Sequence, residues 1–189
     1  NVDEWLYIHG HDDAVRTHQY QGRLRTQAFD WAGYHTSLLF DAIEKYFPNA
    51  KSIAEYGCGV GRNVLRAKLR FPHMQCYGYE LASAGARVAN DAAKKFGIEA
   101  KYAPLDYVNA GEDQYVFGKT DIAFTMFSLE QIPYTNMIGL KHILDHANMG
   151  SLHIEPVCEN YPWSYRGMLG RIFVRRLDYL RNFDAGVRA

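Results

Sequence analysis

The sequence predicts an α/β fold in which helices cover both faces of a doubly wound, mostly parallel sheet. Five short apolar segments alternate with segments of helical periodicity along the chain. The first apolar segment ends in a turn with a glycine at every second position, Gly57, Gly59 and Gly61. The fourth, Thr120 onward, is apolar nearly throughout, as expected of a central strand buried on both faces. Strands that alternate with helices pair in parallel through right-handed crossovers.

The predicted elements follow one another with short connections, as in one domain of 189 residues. Pro48 and Gly97 end two of the helices. The helices are predicted over 35–47, 63–69, 82–96 and 136–148, and the strands over 52–56, 75–80, 98–103, 120–127 and 151–155.

Residues 1–34 are predicted to form a helical cover, distinct from a ligand-binding domain over residues 35–189. Asp12 or Asp13 would cap a helix that runs toward Phe29 despite Gly22. This cover either packs through its aromatic side chains alone or closes as a lid over bound ligands. The histidines of the segment match no metal-ligand spacing, so no metal is predicted.

Composition limits the classes of partner. Basic and acidic residues balance at 21 each, so no overall field attracts nucleic acid or an anionic membrane, although a local basic patch is compatible with this balance. No apolar run has the roughly 20 residues of a membrane span. Cys58, Cys76 and Cys158 are too far apart for a disulfide framework or a zinc motif, which favours a reduced, cytoplasmic compartment.

The last stretch, 157–189, carries six arginines against Glu159, Asp178 and Asp184. Arginines alternate there with apolar residues in a helical pattern. This helix has either a solvated arginine face or a small site for phosphate or carboxylate.

The stretch Glu55-Tyr56-Gly57-Cys58-Gly59-Val60-Gly61 has an acid two residues before the first of three alternating glycines. It resembles motif I of the class I S-adenosyl-L-methionine (SAM) methyltransferases. The dinucleotide fingerprint G-x-G-x-x-G would need glycine where Arg62 stands, which disfavours a nicotinamide-dependent dehydrogenase.

The resemblance extends from Ser52 to Glu155 and implies a Rossmann-like methyltransferase fold with SAM as cofactor and S-adenosyl-L-homocysteine as product. It implies that Glu80 accepts hydrogen bonds from the ribose, and that Asp106 meets the adenine amino group. The implied SAM-binding residues are Glu55, Gly57, Cys58, Gly59, Gly61, Glu80, Leu81, Leu105, Asp106, Thr125, Met126 and Gln131. The family follows its fifth strand with a helix and an antiparallel hairpin. No such hairpin can be placed, so we expect that it is missing and the chain is truncated.

The acceptor is less determined by these motifs. Thr125-Met126-Phe127-Ser128 replaces the D/N-P-P-Y signature of amino-group methylation, and Gln131 replaces a frequent histidine base. The candidates for a positioned base are Glu155, His35, His153, Glu130 and Tyr134, and we expect that Glu155 or His35 faces the acceptor. We expect an O- or N-methyltransferase acting on a small molecule, with nucleic acid and membrane partners not expected and a homodimer left open. The alternatives are a non-catalytic SAM-binding partner subunit or an RNA or protein methyltransferase.

Overall fold

The computed structural model describes residue 8 and residues 15–20, 23–28, 30–132 and 137–188. The five central strands form one parallel sheet: β3 (Ser52–Tyr56), β4 (Gln75–Glu80), β5 (Ala100–Pro104), β6 (Thr120–Met126) and β7 (Ala147–Ile154). Their order is β5-β4-β3-β6-β7, with every neighbouring pair parallel. The predicted sheet is therefore confirmed. The chain reverses its direction of winding between β3 and β6, where such sheets bind ligands.

Helices cover both faces of the sheet. On one face, α1 (Trp31–Tyr46), α2 (Arg62–Arg70) and α3 (Ser83–Phe96) pack on residues such as Ile53 and Phe124. On the other, α4 (Ile138–Asp145) and α6 (Phe183–Arg188) pack on a tyrosine-rich core around Tyr56. Between β7 and α6, α5 (Tyr165–Arg176) follows a short 3₁₀ turn, Cys158–Asn160.

The predicted helix through residues 15–28 is wrong. The chain instead forms an antiparallel pair of strands, β1 (Val15–Tyr20) and β2 (Arg23–Ala28), in which Tyr20 pairs with Arg23. Two residues, Gln21-Gly22, separate the strands in the sequence, and such a glycine is typical of two-residue hairpins. Asp12, Asp13, His9 and His11 lie outside the described residues. The role of this segment as a cover stays a prediction.

The first helix after the hairpin begins four residues earlier than predicted. The Asp30 carboxylate caps it by accepting a hydrogen bond from the Gly33 N–H at 2.7 Å. The domain boundary that was predicted between residues 34 and 35 therefore falls inside α1.

The last helix and strand before the C-terminal stretch also differ from prediction. The helix over 136–148 ends at Asp145, and the strand predicted from Ser151 begins at Ala147. Gly150 thus lies within β7 and does not end a helix. The partner strand sets this length, because β7 pairs with β6 from Thr120 to Met126.

The described residues after β7 form helices and turns and contain no strand. In the part of the chain that the structure describes, no helix has both the length and the apolar character to cross a membrane.

Candidate functional site

A cavity of about 430 Å³ opens at the carboxyl ends of the central strands. This volume lies within the usual range of small-molecule sites, roughly 300–1,000 Å³. The lining comes from four strand exits: the glycine turn after β3, and the segments that follow β4, β5 and β6. The lining residues are Gly57, Gly59, Glu80, Leu81, Leu105, Asp106, Tyr107, Val108, Phe127, Ser128, Gln131 and Ile132.

The glycine turn needs its three glycines for two different reasons. All three have left-handed backbone, with φ of 78° at Gly57, 55° at Gly59 and 79° at Gly61. A Cβ on Gly57 would lie 2.4 Å from the Ser128 Cβ, and one on Gly61 would lie 2.4 Å from the Tyr102 ring. Among the described residues, no heavy atom lies within 4 Å of a Cβ built on Gly59. The outer two glycines therefore permit packing, whereas Gly59 keeps the cavity open.

Glu80 joins the glycine turn to the end of β4. Its Oε2 accepts a hydrogen bond from the Gly59 N–H at 2.7 Å, and its Oε1 accepts one from the Ala82 N–H at 3.1 Å. A carboxylate has about four acceptor positions. Glu80 lines the cavity and thus retains acceptor capacity for ligand hydroxyl groups.

Asp106 forms the turn that follows β5. Its carboxylate accepts hydrogen bonds from the Asn109 side-chain amide and from the N–H groups of Val108 and Asn109. These bonds, the side-chain bond from Asn109 foremost, lower the pKa of Asp106. The charged carboxylate is therefore fixed at the cavity rim beside Leu105, which is buried.

Glu55 lies beneath the glycine turn and does not line the cavity. Its Oε1 accepts a hydrogen bond from the Asn63 side chain at 2.7 Å, and its Oε2 has no hydrogen-bond partner among the described residues. Burial, reinforced by the charges of Glu80 and Glu155, raises the pKa of Glu55 to about 8. The carboxyl is therefore mostly protonated at neutral pH, which lowers the cost of burying it.

Four other residues of the predicted SAM-binding set also lie outside the cavity lining: Cys58, Gly61, Thr125 and Met126. The Cys58 thiol is buried, and burial raises its pKa, so it is unreactive. The Thr125 hydroxyl contacts the His153 ring at 2.9 Å, and Met126 packs against the apolar core. These four residues therefore pack behind the cavity lining and do not form part of it.

Glu155 clamps the segment after β6. Its carboxylate accepts hydrogen bonds from three consecutive backbone N–H groups, those of Ser128, Leu129 and Glu130. Burial raises the pKa of Glu155 although these bonds lower it. The arrangement orders the 3₁₀ turn Leu129–Gln131, from which Gln131 reaches the cavity.

Neither candidate histidine lines the cavity. The Nδ1 of His153 contacts the Thr125 Oγ1 and its Nε2 contacts the Ser151 Oγ, both at 2.9 Å. Burial lowers the pKa of His153 to about 4, so the ring is neutral at physiological pH. His35 lies edge-on to Phe127 with ring centroids 4.9 Å apart, and Phe127 does line the cavity. Tyr134 lies outside the described residues.

Five lining residues are not among the SAM-binding residues that the resemblance implied: Tyr107, Val108, Phe127, Ser128 and Ile132. Phe127 is the most informative, because a bulky side chain with φ of 56° is a rare, strained conformation. Such strain often marks functional sites. The sequence signal for Phe127 was its position at the carboxyl end of the predicted fourth strand, since ligand crevices form at strand ends.

Comparison with solved structures identifies the fold. The geranyl diphosphate C-methyltransferase of Streptomyces coelicolor A3(2) matches with a TM-score of 0.59 and 13% identity, over 82% of this chain and 59% of that one. A structure of the plantazolicin methyltransferase BpumL with S-adenosylhomocysteine (SAH) matches with a TM-score of 0.55 and 15% identity, over 77% and 57%. The chain has the class I SAM-dependent methyltransferase fold.

The N-terminal domain of EvdMO1, solved with SAH bound, matches this methyltransferase fold with a TM-score of 0.51 and 20% identity, over 70% of this chain and 56% of that one. The chain thus spans somewhat more than half the length of these three structures. No protein-family model and no curated protein sequence matches the chain.

Proposed function

We propose that the chain binds SAM in the cavity and transfers its methyl group to a small-molecule acceptor. The main support for this proposal is that Gly59, Glu80 and Asp106 line one cavity at the point where the sheet reverses its winding. The methionine part would lie along the open Gly59 turn. Glu80 would accept the ribose hydroxyls, and the fixed charge of Asp106 would meet the adenine amino group.

The acceptor would lie against the Phe127 side of the cavity. Phe127 and Ile132 provide an apolar wall, and Gln131 provides a polar group that cannot take a proton at neutral pH. A sulfonium methyl group is already activated, so most of the acceleration would come from holding the acceptor in line at about 3–3.5 Å. Glu155 and His153, engaged within the protein, would act by positioning, and His35 would act through Phe127.

The solved structures of this fold support a small acceptor. One acts on geranyl diphosphate at carbon, and another was solved with an analogue of plantazolicin. We therefore consider carbon, besides the oxygen and nitrogen expected from the sequence, as the atom that accepts the methyl group. Cytoplasmic location and homodimer formation stay predictions.

The alternative is a SAM-binding partner subunit without its own turnover. The described cavity-lining residues include no histidine or lysine, and their two carboxylates, Glu80 and Asp106, are those that we assign to SAM, which favours this alternative. Release of SAH separates the two proposals, because a partner subunit would bind SAM without producing SAH when acceptors are supplied.

Calorimetry with SAM and SAH tests donor binding, and Gly59→Asp is the decisive variant. The new carboxylate would fill the open space at the turn and lie beside Glu80, so we expect binding to be lost. Gly118→Asp is the matched control, because Gly118 has φ of 64°, no heavy atom of the described part of the chain within 4 Å of its Cβ position, and no place in the cavity lining. No SAM or SAH binding by the folded wild type at millimolar ligand would refute the proposal.

A further inference from the structure

Helix α5 exposes a continuous apolar stripe. Tyr165, Met168, Leu169, Ile172 and Phe173 follow the i, i+3, i+4, i+7, i+8 spacing of one helix face. Their exposed fractions run from 48% at Leu169 to 80% at Tyr165. Trp163 (84%) before the helix and Leu177 (44%) after it extend the stripe at both ends. So large an exposed apolar surface is typical of interaction sites.

The opposite face of α5 is attached to the protein through small residues. Gly167 and Val174 are buried, and a Cβ on Gly167 would lie 1.8 Å from the Pro162 carbonyl oxygen. The Arg171 guanidinium donates hydrogen bonds to the carbonyl groups of Glu159 and Tyr161. The close approach is possible only on the glycine face, which directs the large apolar side chains outward.

The same surface is strongly basic. Arg166, Arg175 and Arg176 are exposed, and none of them forms a salt bridge with the described residues. The segment 163–177 contains four arginines and no acidic residue, although the whole chain is neutral. The local basic patch that the overall composition left open is therefore this helix.

We infer that α5 docks the protein on an anionic lipid surface. Apolar and aromatic side chains would enter the interface, while the arginines would contact lipid phosphate groups. A second copy of the chain is disfavoured as the occupant, because a symmetric contact through this stripe would bring arginines together without acidic partners. The stripe also forms a ridge on a convex helix, which suits a deformable lipid surface better than a preformed protein groove.

This docking is independent of methyl transfer and is measured without a methyl acceptor. The 189-residue chain would be sedimented with vesicles of phosphatidylcholine alone or with 30 mol% phosphatidylglycerol. We expect binding to the anionic vesicles that weakens with added salt. Replacing Arg175 and Arg176 by Gln should weaken binding roughly 30-fold, because each arginine near the surface contributes about fivefold.

Two control variants isolate the helix. Arg87→Gln with Lys94→Gln removes the same charge from exposed positions of α3 and should leave vesicle binding within about threefold, by the same measure of charge near a membrane. Ile172→Glu tests the apolar stripe and should reduce binding at least tenfold, whereas Val116→Glu, at a 64% exposed site elsewhere, should not. Circular dichroism and thermal melting would verify that each variant folds.

Three outcomes would overturn the inference. The first is no binding of the folded wild type to anionic vesicles. The second is equal loss of binding in the α5 and α3 charge variants, which would indicate a response to net charge alone. The third is dimerisation in light scattering that Ile172→Glu abolishes without any vesicle binding, which would assign the stripe to a second copy.

Discussion

The protonation state of Glu55 makes the stability of the protein depend on pH. Its pKa of about 8 lies well above the unfolded value near 4.3, so the folded state holds a proton that the unfolded state releases between these values. The free energy of unfolding should therefore fall as pH rises through this window, by up to about 1.4 kcal/mol per pH unit. Glu55→Gln, which keeps the shape and lacks the charge, should remove this contribution.

Urea unfolding of the wild type and of Glu55→Gln from pH 5 to 9 measures this contribution of Glu55 to the free energy of unfolding. The difference between the two curves should grow in favour of the variant toward pH 8. Glu99→Gln is the control, because the Glu99 side chain is 92% exposed and should show no such trend. A difference that stays constant across the range would mean that Glu55 is ionised in the folded protein.

The glycines of the turn should differ sharply in tolerance. Gly61→Ala would place a methyl group against the Tyr102 ring and 2.8 Å from the Ala89 Cβ, so we expect a loss of about 3 kcal/mol from overpacking and backbone strain together. Gly59→Ala meets open space and should lose only the left-handed backbone cost of about 1–2 kcal/mol. Chemical unfolding compares them, and equal losses would contradict the assigned packing roles.

At the scale of elements, Glu155 has two conceivable roles that an experiment can separate. It either orders the segment after β6 or accepts a proton from the methyl acceptor. Glutamine offers one acceptor oxygen where the carboxylate serves three backbone N–H groups, so Glu155→Gln should lose about 1.5–3 kcal/mol of stability. If Glu155 positions the segment after β6, KM for the acceptor should rise and the pH profile should keep its shape. A lost pH limb with unchanged stability would instead identify Glu155 as the base.

The regular elements were largely predictable from the sequence, because each strand of the parallel sheet is a short apolar segment flanked by residues that break helices and strands. The glycine turn, Glu80 and Asp106 were predictable for a related reason, since parallel strands bring their carboxyl ends to one edge. The β1–β2 pair was not, because its polar segments carry little apolar periodicity. The clamp at Glu155 was also invisible, since it depends on β7 lying beside β6 and on the path of the chain after Met126.

At the scale of the molecule, the charge balance concealed two opposite local environments. The charges of Glu80 and Glu155 raise the pKa of Glu55 near the glycine turn, whereas α5 carries only arginines among its charged residues. The net charge of zero is the sum of these regions and does not describe either one. The two carboxylates that line the cavity, Glu80 and Asp106, favour a cationic ligand, as the sulfonium and ammonium groups of SAM require.

Ligand-dependent stability tests that expectation on the whole chain. A ligand at 100 times its Kd adds about 2.7 kcal/mol to the free energy of unfolding, which corresponds to roughly 5–10 °C in a domain of this size. We expect such a shift with SAM, and none with NAD, whose anionic pyrophosphate would meet Glu80. Scanning calorimetry of the wild type and of Gly59→Asp measures the melting temperature with each of the two ligands. Stabilisation by NAD and not by SAM would contradict the assignment of the cavity to SAM. The inference from the glycine spacing to SAM would then be wrong.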